Sequence, residues 1–313
     1  MKRFLAAMLS VLLLLTVGCG SESQPKDAKL SKIKIGLMPD TDSIPFIIAA
    51  EHGYFAEEGV EVELVPFKSA MERDAALQSG NLDGAISDLL AVIFARSGGF
   101  AVHAVSYTDG NYNLVAGGNS GIAASADLRG KEIAISRNTI IEYVTDEILV
   151  VNGIEEEDVS KVVIPQIPVR LEMLQSGNLA AAVLPEPMAS VAVASGSRYV
   201  TGSGELGINP GVIVFSDTSI QEKEASIRAM YRAYNKAVNY LNNTPRAEYI
   251  DLVMEKSGFP APARDALELK PYRSAGMPAQ KDVEEAVHWV KSKDLAGDYS
   301  YDDLVSKLLA EEK

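Results

Sequence analysis

The chain has 313 residues, 47% of them hydrophobic and 23% charged, and its 29 Lys and Arg stand against 43 Asp and Glu for a net charge of −14. That length allows one large domain or two ordinary ones, with the composition of a core-forming globular protein. The acidic balance argues against nucleic acid as a partner, because neutralising phosphates takes clustered Lys and Arg.

The first residues do not read as fold. Lys2 and Arg3 precede a short apolar run, Phe4 to Val17, too short to span a bilayer and followed by small residues. The run ends in Thr16-Val17-Gly18-Cys19, which resembles a bacterial lipoprotein signal, although Thr16 stands where that pattern usually has Leu. The expectation is a signal peptide over 1–18, lipid on Cys19 and a polar tether over 19–32. Cys19 is the only cysteine, so no disulfide forms within the chain. The protein is then exported and anchored to the outer face of the cytoplasmic membrane, or to the periplasmic side in a Gram-negative cell.

The folded part begins near Ile33 with a short apolar strand. Pro45 suits the first turn of the next helix, with Asp42 or Ser43 as its cap. Further on, the hexapeptide LQSGNL occurs at 77–82 and again at 174–179, 97 residues apart. Each copy follows a helical pattern and has its glycine, Gly80 or Gly177, where a helix C-terminal glycine belongs. Each precedes an apolar run that reads as a buried strand, at 84–86 and 180–184. Upstream, Ile33–Leu37 pairs with Ile133–Ile135, Gly53 with Gly153 and 62–65 with 162–165 at an offset of 100, so a strand–helix–strand–helix–strand unit is written twice. The fold class is α/β, as two doubly wound α/β lobes with parallel βαβαβ cores. After Phe215, apolar residues at helical spacing predict helices over 223–241, 246–256 and 280–293, with a weaker one over 302–309. Trp289 falls on the apolar face of the third.

Two such lobes predict a cleft, with ligand beyond the carboxyl ends of the strands. In the first lobe those ends carry Asp40, Thr41, Asp42, Ser43, Ser69, Ser87 and Asp88. In the second they carry Ser136, Arg137, Asn138, Thr139 and Glu186. Each residue is a candidate ligand contact, and helix capping alone is the competing role for most. Arg137 is the one cation in the first loops and would pair with a carboxylate or sulfonate if buried. Tyr112 flanks a crossing between lobes, where a ring could stack on a heterocycle or only pack the hinge.

Several stretches resemble the extracytoplasmic solute-binding proteins of ABC importers, in the branch for aliphatic sulfonates, taurine, nitrate and thiamine precursors. They are "PFIIAAEHGYFAEEGVEV" from Pro45, "ALQSGNLD" from Ala76, "DLRGKEIA" from Asp127 and "LPEPMA" from Leu184. The resemblance implies a bilobed type II fold with a two-segment hinge near 108–111 and 208–211. Lobe I would span 33–108 plus 211–313, including the C-terminal helices, and lobe II 109–210. It implies a lipid-anchored monomeric receptor that closes on a small ligand and hands it to an ABC permease, with no cofactor or metal. The three histidines are scattered, and no HExxH, CxxC, Walker loop, GxSxG or GxGxxG is present. Two alternatives remain: a sensing module for a membrane receptor, and an enzyme on the same fold such as a pyrimidine-synthase-like protein. The ligand is a sulfonate-like anion or, favoured by the four carboxylates Asp40, Asp42, Asp88 and Glu186, a nitrogenous heterocycle.

Overall fold

The computed structural model describes residues 30–310. The signal segment, Cys19 and most of the tether lie outside the described residues. The chain begins with β1 (Ile33–Leu37), α1 (Ile44–Glu51), α2 (Tyr54–Glu57), β2 (Val62–Pro66) and α3 (Ala70–Gln78). It continues through β3 (Gly84–Asp88), α4 (Leu89–Ser97) and β4 (Val102–Tyr107). A second run holds β5 (Tyr112–Ala116), β6 (Glu132–Ile135), α5 (Ile140–Val151), β7 (Ser160–Val163) and α6 (Ile167–Gln175). It ends with β8 (Ala181–Pro185), α7 (Met188–Ala194), β9 (Arg198–Gly202) and α8 (Ser203–Leu206). The chain then returns through β10 (Gly211–Ser216) to α9 (Asp217–Asn243), α10 (Arg246–Ser257), α11 (Ala263–Ala266), α12 (Gln280–Ser292) and α13 (Tyr301–Leu304).

The strands form two five-stranded sheets, β2-β1-β3-β10-β4 and β7-β6-β8-β5-β9. In each, three parallel strands from one copy of the repeat meet an antiparallel strand that has crossed from the other run: β10 against β3, and β5 against β8. The sheets are therefore mixed, which apolar runs alone do not reveal, because burial on both faces looks the same in either direction. This is a bilobed α/β fold of the periplasmic-binding-protein kind.

Strand register corrects the offset read from the sequence. Ile35 lies beside Leu64 and Gly84, as Ile133 lies beside Lys161 and Ala181. The strands of the two copies are thus 97 or 98 residues apart, not 100. The offset of 100 at Gly53 and Gly153 arises because α5 has 12 residues where α1 has 8. Gly80 and Gly177 leave their helices with φ of 75° and 77°, the left-handed conformation that glycine adopts without steric cost.

Between the sheets the chain crosses through 108–111 and, after α8, through 207–210. Space is tight at the first crossing and just past the second: a Cβ on Gly110 would lie 2.5 Å from Asp42 Oδ2, and one on Gly211 would clash with Thr108 Oγ1. α9 packs on α1 and α2, α12 on α4, and α11 on α7 of the second run. The predicted helix start at Lys223 marks a kink inside α9, while the predicted last helix reduces to the single turn α13. Trp289 is buried, as its position on the apolar face predicts, and its indole N–H donates to Asp146 Oδ2 of α5 at 3.0 Å.

Candidate functional site

The carboxyl ends of β1, β2 and β3 face those of β6, β7 and β8 across a cleft. Two backbone hydrogen bonds span it, from Thr41 N to Glu186 O at 3.0 Å and from Ile167 N to Lys68 O at 3.1 Å. At its centre lies a cavity of about 30 Å³ lined by both lobes. Asp40, Ser87 and Asp88 reach it from the first lobe, Ser136 from the second, and Tyr112 from the start of β5. On one flank is a larger, mostly apolar chamber of about 570 Å³, walled by Ile47, Phe67, Pro168, Leu171 and Met188. Met38 lines both spaces. On the other flank a cavity of about 220 Å³ is lined by Thr41, Asp109, Glu186, Lys270 and Tyr272.

The remaining candidates sit as follows. Asp42 is buried and its Oδ1 accepts from Asp109 N at 3.1 Å, so it braces the first crossing. Ser43 donates to Met38 O at 2.6 Å and borders the apolar chamber. Ser69 is fully buried and caps α3 through Glu72 N; Thr139 caps α5 through Ile141 N. Arg137 and Asn138 are exposed. Asn138 has φ 56° and donates its backbone N–H to Glu142 Oε2, which turns this loop outward. Arg137 therefore lies outside the three cleft cavities.

The cations that reach the centre are Arg73 of α3 and Arg170 of α6. The sequence reading missed both, since it searched the loops after strands and these side chains reach in from helices. The repeat held the signal: both are Arg, 97 residues apart, four positions before the first Leu of LQSGNL.

Burial dominates the electrostatics. It raises Asp40 from 3.8 to about 7, against the opposing pull of Arg73 and the N–H of Asp42. Asp42 is raised well above the ordinary range by burial and by Asp40 beside it. Asp88 is raised by burial and partly drawn back by Arg73, and its Oδ1 caps α4 by accepting from Ala91 N at 2.9 Å. Glu186 is raised by burial, with Asn113 Nδ2 at 2.7 Å and Ser190 N at 3.2 Å on its two oxygens. The Tyr112 phenol is held neutral by burial and by three nearby carboxylates. The arrangement can desolvate a small group completely and surround it with fixed donors and acceptors from both lobes.

Fold and cleft together define a bilobed periplasmic-binding-protein-like protein with its candidate site between the lobes. Residues 40–248 match the family described as NMT1/THI5 like, and the chain belongs to that family. A Brachyspira hyodysenteriae protein named as an ABC transporter periplasmic binding protein is 22% identical, over 78% of this chain and 75% of its own. Among solved structures, the ligand-binding component of an ABC-type import system from Staphylococcus aureus aligns with a TM-score of 0.76, 18% identity, and 90% and 99% of the two chains. The periplasmic aliphatic sulphonate binding protein SsuA of Escherichia coli aligns with 0.73, 19%, and 88% and 92%. The desulfurization enzyme DSZB shares the fold at 0.64 and 14% identity, over 89% and 97%.

Proposed function

We propose that the protein is an exported solute receptor of an ABC importer, tethered through a lipid on Cys19. It captures a small organic ligand between lobes that span 33–108 plus 211–313 and 109–210. The observation that carries this reading is the central cavity, where polar groups of both lobes meet, desolvated, at the strand ends. A ligand bonded to both walls stabilises the closed state and shifts the population toward it. The chamber beside Met38 has room for an apolar body joined to a polar head. The names of the B. hyodysenteriae, S. aureus and E. coli relatives support the reading. No helix among the described residues is long and apolar enough to cross a membrane.

The test is a thermal-shift screen of sulfonates, carboxylates, nitrate and nitrogenous heterocycles, followed by small-angle scattering with any compound that raises the melting temperature. A stabilising compound should also compact the protein; stabilisation without compaction counts against hinge closure. A second reading, catalysis on the same fold, is favoured by one observation: the Asp40 carboxyl raised to about 7 inside the cleft. Turnover of a bound compound would establish it and displace the receptor reading.

A further inference from the structure

Arg73 and Arg170 are structural twins. Arg73 Nη1 donates to Ile86 O at 3.1 Å, and Arg170 Nε donates to Val183 O at 3.1 Å. Those two strand residues are again 97 apart. Both guanidinium side chains are buried, their residues 3% and 0% exposed, and both line the central cavity.

What differs is the counter-charge. Arg73 has Asp74 Oδ1 at 2.8 Å and Asp88 Oδ2 at 4.0 Å. The positions equivalent to those acids in the second lobe are Leu171 and Pro185, which carry no charge. Arg170 Nη1 donates to Ile164 O at 2.7 Å, and Nη2 is buried with no hydrogen-bond partner among the described residues; Arg73 Nη2 also makes no hydrogen bond but has Asp74 and Asp88 beside it as counter-charges. Burial with no acid to offset it lowers Arg170 to about 10. Arg73 feels the same burial, yet Asp74 and Asp88 lift it above its ordinary value. A buried charge without a partner is costly, and an opposite charge brought to it removes that cost.

The four carboxylates near the cleft do not cancel it. Asp88 is shared by Arg73 and the first turn of α4. Asp42 bonds the first crossing, and Glu186 is held by Asn113 and Ser190. Asp40 caps the turn that follows it by accepting from Asp42 N. The unmet charge at the centre is therefore positive and belongs to the second lobe.

We infer that Arg170 receives the acidic group of the ligand, an organic monoanion, while Arg73 serves as a structural pillar of the first lobe. The inference deepens the receptor reading and rests on it. Ser87 Oγ, buried and without a partner on the opposite wall, supplies a donor from the first lobe, so the anion ties the two lobes together. Arg170 bonds it through Nη2 in a charge-assisted hydrogen bond.

The experiment compares anions with their neutral isosteres: methanesulfonate with methanesulfonamide, benzenesulfonate with benzenesulfonamide, and benzoate with benzamide. Calorimetry is run on the wild type, Arg170→Met, Arg170→Lys and Arg73→Met, with melting curves of each unliganded protein. In the wild type each anion that binds should exceed its isostere by roughly 10- to 100-fold, the range expected of one charge-assisted bond. Arg170→Met should abolish that preference, and Arg170→Lys should keep part of it. Unliganded Arg170→Met loses its bonds to Val183 O and Ile164 O but strands no acid, and should melt clearly above Arg73→Met, which strands Asp74 and Asp88. Anion preference surviving in Arg170→Met would overturn the inference, as would equal destabilisation by Arg170→Met and Arg73→Met. Amides that bind and compact the protein as well as their acids would overturn this assignment alone. Failure of every compound to bind or compact the protein would overturn the receptor reading beneath it.

Discussion

Asp40→Asn removes one carboxyl from the adjacent Asp40–Asp42 pair in the cleft. The Asp40 carboxyl is raised from 3.8 to about 7 in the folded protein, chiefly by burial. A carboxyl raised on folding binds its proton more tightly in the native state. Its contribution to stability is therefore complete below the unfolded value near 3.8 and is lost as pH rises through about 7. About three units at ~1.36 kcal/mol each give about 4 kcal/mol lost by pH 8. Asparagine matches the protonated acid in shape and caps a turn equally well, so the bond from Asp42 N is kept. At ~2–4 °C per kcal/mol for a chain of this size, the variant should melt about 8–16 °C above the wild type at pH 8 and within about 2 °C of it at pH 4. The assay is circular-dichroism melting of unliganded protein from pH 4 to 8. The groups that face Asp40 are Arg73, Asp42, the Ser43 turn and Tyr112; removing the Asp40 charge also relieves the repulsion that raises Asp42, which adds to the gain at high pH. A difference that does not change with pH, or a variant less stable than the wild type at pH 8, refutes the reasoning.

Other predictions concern the repeat, the crossings and the chamber. Gly80→Ala and Gly177→Ala place a side chain at equivalent left-handed positions with open space around them, so each should cost about 1–2 kcal/mol in chemical denaturation, and by similar amounts. Gly211→Ala forces a Cβ onto Thr108 Oγ1 and should weaken ligand binding at least 10-fold by calorimetry while leaving far-ultraviolet dichroism unchanged. Trp289→Phe removes one donor to buried Asp146, whose Oδ2 still has Lys293 Nζ at 2.8 Å, and the lost bond should cost about 1 kcal/mol. Leu171→Trp narrows the apolar chamber and should weaken benzenesulfonate far more than methanesulfonate; equal losses would mean that the chamber holds no part of the ligand.

Much of the architecture was legible because the repeat is written in the chain. Apolar runs just after each LQSGNL placed β3 and β8, the matching upstream runs placed β1, β2, β6 and β7, and the C-terminal helices followed their apolar spacing. Strand direction was not legible: β5 and β10 are buried almost throughout, so only the fold shows that they run against their neighbours. At the site, the loops after the strands were legible as a place. Asp40, Ser87, Asp88 and Ser136 share one cavity, while Ser69 and Thr139 take the competing role of helix caps. Arg137 drew attention as a cation in the right loop, yet the left-handed Asn138 turns that loop to solvent. Arg73 and Arg170 were hidden because a helical Arg reads as surface. Their burial depends on strand carbonyls that local pattern does not bring together, and only their shared place in the repeat marked them.

The central claim is capture by closure of two lobes. Met71 and Val169 are exposed on α3 and α6, on opposite lobes, and Cys19 lies in the segment ahead of the fold. With residues 1–29 removed, cysteines at 71 and 169 carry a dye pair, and single-molecule energy transfer reads the distance across the cleft. A saturating ligand from the screen should gather the population into one short-distance state and release it on dialysis. An unchanged distance distribution with the same ligand bound would contradict the account.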